Sequence, residues 1–163
     1  MARISKENYY LDIAETVLER ATCLRRVYGA IIVKNDEIIA TGDNGAPRGR
    51  KNCTDLGYCT REKLRVPRGE RYELCRSVHA EANAIISAAR RDTVGGTLYL
   101  VGRDAQTGDL LADATSCSMC RRQIINAGLQ TVVIRRTPTE FEVVDVERDW
   151  IGGDDSLPEI DLP

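Results

Sequence analysis

Two short apolar runs, Thr97-Leu98-Tyr99-Leu100-Val101 and Thr131-Val132-Val133-Ile134, flank a stretch that ends as helices do, at Gly128. Strand, helix, strand in that order makes the two strands parallel through a right-handed crossover. Other segments predict elements that suit such a unit. Tyr9, Tyr10, Ile13, Ala14, Val17, Leu18 and Ala21 recur at helical spacing, so a first helix is expected from Ser5, its N-cap, to about Arg25. Gly29–Val33 and Glu37–Thr41, joined by the turn Lys34-Asn35-Asp36, read as a hairpin. A second helix is expected from Ser77 to about Arg91, before Gly95-Gly96, and a third from Cys117 to about Ala127. Glu140–Val144 is a further strand candidate. The sum is an α/β chain with a mixed β-sheet between helix layers.

Between the elements the sequence changes character. Residues 42–75 lack periodicity, are rich in glycine and proline, and carry Cys53, Cys59 and Cys75. An irregular stretch of that length inside a compact domain is functional or tied down. Gly102–Ala114 reads as an excursion with a turn at Thr107-Gly108, and an acidic tail is expected from about residue 152. With 163 residues, a single domain spanning 1–163 is expected. No apolar run approaches a membrane span, and Met1–Glu7 lacks the apolar core of a signal peptide. A cytoplasmic protein with reduced or metal-bound thiols is therefore expected, with no membrane contact. A net charge of -2 argues against general nucleic-acid binding and favours a small-molecule substrate.

The chemistry concentrates in two segments. His79, the only histidine, precedes Glu81 by two residues at the entry to the second helix, and Cys117 and Cys120 stand at i, i+3 at the entry to the third. One imidazole and two thiolates make a three-ligand zinc set with an open fourth position, the mark of a catalytic ion. Water at that position has its pKa lowered toward neutrality, and Glu81, not needed as a ligand, is placed to carry protons.

His79-Ala80-Glu81 followed by Cys117-Ser118-Met119-Cys120 resembles the H-x-E and P-C-x-x-C signature of zinc-dependent nucleobase deaminases, with Ser116 in place of proline. Serine, a good N-cap, is expected to start the helix instead. Thr41-Gly42-Asp43-Asn44-Gly45-Ala46-Pro47-Arg48-Gly49 is similar to the G-Y-N-G-x-P-x-G segment of deoxycytidylate deaminases, with Asp43 for tyrosine, and His79–Ile85 is similar to their H-A-E-x-N-A-I. The resemblance implies a cytidine-deaminase-like three-layer α/β/α sandwich, catalytic zinc on His79, Cys117 and Cys120, and hydrolysis of dCMP to dUMP and ammonia through Glu81. It also implies substrate contacts from Asn44 at the sugar, from Ala46 in the same segment, and from the Ala80 N–H at the base, within a homo-oligomer. Asp43 leaves feedback by nucleoside triphosphates open.

Cys23 and Cys53 resemble positions that hold a second, structural zinc in some deoxycytidylate deaminases. Cys59 and Cys75 could complete that set, or all four could be buried free thiols. The basic residues of the long loop are either a solvated face or a phosphate site led by Arg48. Tyr99 is the aromatic candidate for stacking on the base. The rival readings are a deaminase of CMP, of cytidine or deoxycytidine, or of another nucleobase, and a non-catalytic zinc-containing nucleotide sensor.

Overall fold

The structure, a computed structural model, describes residues 1–153, so the acidic tail expected from about residue 152 lies almost wholly outside the described residues. One five-stranded sheet has the order β2-β1-β3-β4-β5, with β1 Arg26–Lys34, β2 Glu37–Asp43, β3 Thr97–Asp104, β4 Thr131–Arg135 and β5 Phe141–Asp145. β3 and β4 pair in parallel and every other neighbour is antiparallel. The crossover that opened the sequence argument is therefore the one parallel joint of a mixed sheet. The hairpin turns at Asn35 and Asp36, both at positive φ (52° and 61°), as two-residue turns matched to strand twist require.

The central strands are buried on both faces, and their side chains sort with period two. Ala30 and Ile32 of β1, Leu98 and Leu100 of β3, and Val132 and Ile134 of β4 share one core with Ala80, Ala84 and Ile124. Ile31, Val33, Tyr99, Val101 and Val133 face the other way, against Tyr10, Leu11, Ala14 and Leu18. Helix α1, Lys6–Leu18, thus covers one face, while α4, Ala80–Ile86, and α6, Ser118–Asn126, cover the other. This is a three-layer α/β/α sandwich.

Element ends differ from expectation in several places, and β3 runs on to Asp104, three residues into the expected excursion. α1 stops at Leu18, and β1 starts earlier, at Arg26, because Arg26, Val27 and Tyr28 pair with Asp104, Arg103 and Gly102 of β3. The second helix divides into α4 and the one-turn α5, Arg90–Thr93. There Thr93 donates its hydroxyl to Ala127 O at 2.6 Å and draws the second piece toward the end of α6. Residues 42–75 hold two one-turn helices, α2 Cys53–Leu56 and α3 Thr60–Lys63, and a 3₁₀ turn follows at Tyr72–Leu74.

α4 lies close to the sheet because Gly42 of β2 has no side chain. A Cβ there would stand 2.2 Å from Ala80 O and 2.4 Å from Ala84 N. Two further ties join the glycine-rich segment to this helix. Gly45 and Val78 exchange backbone hydrogen bonds of 3.2 and 2.7 Å, and Asn83 Nδ2 donates to Asp43 O at 2.7 Å.

Candidate active site

His79 is the N-cap of α4 and Cys117 the N-cap of α6, so two helix starts meet at one point. Cys117, rather than Ser116, caps α6: its Sγ accepts the Cys120 N–H at 3.4 Å, which also presents both sulfurs on one side. His79 Nδ1 lies 3.6 Å from Cys117 Sγ and 3.4 Å from Cys120 Sγ, and the three donor atoms fall within 4.8 Å of one another. Imidazole nitrogen and two sulfurs at this spacing suit zinc and leave a coordination position free for water or substrate.

The trio is electrostatically primed. The Cys120 thiol and His79 beside it, against the opposing effect of burial, hold the Cys117 thiol down at about 4. The Cys117 contact in turn lifts His79 to about 10, and the same sulfur's contact, with burial, pushes the Cys120 thiol up. The contacts thus favour the thiolate at Cys117, the form in which sulfur binds a metal.

Glu81 stands in the first turn of α4 and is 5% exposed. Burial raises its pKa, opposed by its own backbone N–H and by the Ser116 hydroxyl. A buried carboxyl with a raised pKa beside a three-ligand zinc set is suited to carry protons. It opens with His79, Ala80 and Cys117 into a cavity that reaches Tyr28 and Asn44.

The structure places the other expected residues as follows. Asn44 lines the cavity, but both ends of its carboxamide are engaged: Oδ1 accepts from Tyr28 N at 2.8 Å and Nδ2 donates to Arg26 O at 2.9 Å. Ala46 donates its N–H to Asn52 Oδ1 at 3.3 Å and lies outside the lining, and Arg48 is exposed outside it as well. Tyr99 is on the opposite sheet face, 5.1 Å ring to ring from Tyr10, where it cannot reach a base bound beside His79. Cys23, Cys59 and Cys75 line the cavity and Cys53 is buried. Among the described residues only His79, Cys117 and Cys120 bring three metal-ligating atoms within 4.8 Å, so the four thiols do not form a comparably tight set.

Sequence reasoning missed four cavity residues. Tyr28 presents the cavity aromatic, its ring over Gly102, where a Cβ would stand 2.6 Å away. Tyr72 meets His79 edge-on at 5.1 Å and carries the Arg61 guanidinium 4.5 Å above its own face. Arg25 and Arg26 join Arg61 and Arg68 in the lining.

An α/β/α sandwich that presents one imidazole, two thiols and a buried carboxyl at paired helix starts defines a zinc-site protein of hydrolytic type. The chain belongs to the family of the cytidine and deoxycytidylate deaminase zinc-binding region, which residues 4–136 match. The deoxycytidylate deaminase of Mycobacterium phage D29 is 33% identical over 138 residues, covering 82% of this chain and 96% of its own length. That of Schizosaccharomyces pombe is 33% identical over 131 residues, covering 80% of this chain but 37% of the yeast protein. Among solved structures, the dCMP deaminase of cyanophage S-TIM5 in complex with dCMP and dUMP is 25% identical, with a TM-score of 0.54 over 82% of this chain and 84% of its own. The cytidine deaminase of Burkholderia pseudomallei, at 19% identity and a TM-score of 0.57 over 88% of this chain and 95% of its own, shares the fold.

Proposed function

We propose that the protein is a zinc-dependent hydrolase that converts dCMP and water to dUMP and ammonia. One observation carries the reading: His79, Cys117 and Cys120 converge beside the buried Glu81 in a cavity that also holds arginines. The relatives named deoxycytidylate deaminase support the choice of base and sugar. Zinc bound there supplies a Lewis acid that lowers the pKa of a water at its open position. Glu81 takes a proton from the attacking water and delivers it to the ring nitrogen. A second transfer from Glu81 reaches the amine, which leaves C4 as ammonia. Ala80 lines the cavity at the first position of α4, where a helix leaves its N–H without an intrahelical acceptor, and this N–H is the proposed donor to the base.

The thiols, all six free, fit a cytoplasmic setting. A homo-oligomer is supported by Ile86, 69% exposed beside a groove that includes Ile85, Ala88 and Ala127. The test is Glu81→Gln in zinc-loaded protein, assayed for ammonia release and absorbance loss with dCMP, CMP, deoxycytidine and cytidine. Full zinc content with no turnover is expected, and wild-type turnover is expected on dCMP above the others. Normal ammonia release by the variant refutes the role of Glu81. Zinc-loaded wild type inert toward all four refutes the enzyme.

A further inference from the structure

Four arginines line the cavity, and their partners differ. Arg61, 7% exposed, donates to Glu70 O at 2.7 and 3.1 Å and to Pro67 O at 3.3 Å. Arg25 pairs with Glu62 at 2.9 Å. Arg26 and Arg68 share one carboxylate, Asp113, at 3.9 and 3.1 Å. One negative charge thus stands between two guanidiniums beside the cavity.

Both sides of this contact are built rather than loose. Pro67-Arg68-Gly69-Glu70 is a tight turn, closed by Glu70 N to Pro67 O at 3.3 Å and with Gly69 at φ 84°. The buried Arg61 holds the carbonyls at both its ends, so Arg68 projects from a fixed corner. Opposite, Leu111 N donates to Gly102 O at 2.9 Å, Ala114 N to Leu111 O at 3.1 Å, and Arg136 to Ala112 O at 3.0 Å. Asp113 therefore sits on a tied turn of the 102–114 excursion, aimed at Arg68.

We propose that Asp113 is a resident stand-in for the phosphate of the substrate: it holds the anion position at Arg26 and Arg68 until the 5′-phosphate of a nucleotide displaces it. The proposal rests on the nucleotide reading above and adds the residues that distinguish nucleotide from nucleoside. A phosphomonoester carries nearly two charges at neutral pH where the carboxylate carries one, and guanidinium pairs bind its oxygens well. Asp113 is 65% exposed and returns to water when displaced, so its competition lowers anion affinity by only about three- to fivefold, the scale of an exposed ion pair. A nucleoside has nothing to put in its place and gains nothing from its removal.

Zinc-loaded wild type, Asp113→Asn, Arg68→Gln and the double variant are titrated with inorganic phosphate by calorimetry, and KM and kcat are measured with dCMP and deoxycytidine. Asp113→Asn is expected to tighten inorganic phosphate about three- to fivefold and to lower KM for dCMP by the same factor, with kcat and the deoxycytidine parameters unchanged. Arg68→Gln is expected to weaken phosphate and to shrink the effect of Asp113→Asn in the double variant. Unchanged phosphate affinity in Asp113→Asn, or an equal shift for deoxycytidine, overturns the proposal. A wild type that binds phosphate with this pattern yet leaves dCMP untouched supports the anion site and refutes the substrate reading alone.

Discussion

Replacing Gly42 with alanine tests whether the site depends on how closely α4 lies on the sheet. The new Cβ would meet only backbone, Ala80 O at 2.2 Å, Ala84 N at 2.4 Å and Ala84 Cα at 3.1 Å, so no side chain can rotate away. Bringing the first contact from 2.2 Å to the 3.0 Å that real Cβ atoms keep moves helix or strand by 0.8 Å. Forcing such a shift through a packed core costs about 1–3 kcal/mol. The same shift displaces Glu81 and Ala80 relative to the cysteines of α6, and a displacement near 1 Å costs about 100-fold in rate. Urea unfolding of zinc-loaded protein reads the first effect and kcat for ammonia release the second, with zinc per chain as the control. A variant whose stability stays within about 0.5 kcal/mol of wild type and whose kcat is unchanged refutes the link between this glycine and the catalytic geometry. Lost stability with unchanged kcat refutes the positional half.

Other outcomes follow from single contacts. Arg61→Met removes the donors that hold Pro67 O and Glu70 O, and is expected to destabilise the protein by about 1.5–3 kcal/mol in denaturant titrations. Tyr99→Phe is expected to leave KM and kcat for dCMP unchanged, since the ring lies across the sheet from His79; a large rise in KM contradicts that placement. Tyr10 donates to Asp36 at 2.5 Å; this bond, with burial, raises the phenol from 10.0 to about 12, and the same bond, with Lys6, lowers the carboxyl from 3.8. The phenol's contribution to stability is complete below pH 10 and lost as pH rises through 12, and that of Asp36 is lost as pH falls below 3.8. The stability gap between wild type and Tyr10→Phe should therefore be flat near neutrality and close at both extremes of a pH series; a gap that widens at alkaline pH contradicts this sign.

The metal trio and the parallel joint were legible because each is a local pattern. H-A-E and C-x-x-C sit at helix starts, and apolar runs on either side of a helix leave little topological freedom. The side of the sheet was less legible for Tyr99, although parity contained it. Tyr99 pairs with Ile31, and both turn toward α1, whereas Tyr28 has the parity of Ala30 and Ile32 and turns toward α4. Counting by two from a strand residue of known face selects Tyr28 and rejects Tyr99. Arg48 shows a different limit, since nearness in sequence to Asn44 does not bring it to the cavity, while Arg68, separated by a whole loop, arrives through the Arg61 turn. Side chains that reach a site by way of another side chain leave no periodic trace.

The bonds between Gly45 and Val78 and between Asn83 and Asp43 have a consequence for how such a protein can change. Two motifs that look independent in the linear sequence behave as one inherited piece. Position 43 serves this joint through its main-chain carbonyl, which every amino acid possesses, so its side chain is free to diverge while glycine at 42 and asparagine at 83 are not. Chimeras that exchange residues 42–49 between deaminases should therefore keep this joint whatever side chain stands at 43, provided that glycine stays at 42 and asparagine at 83.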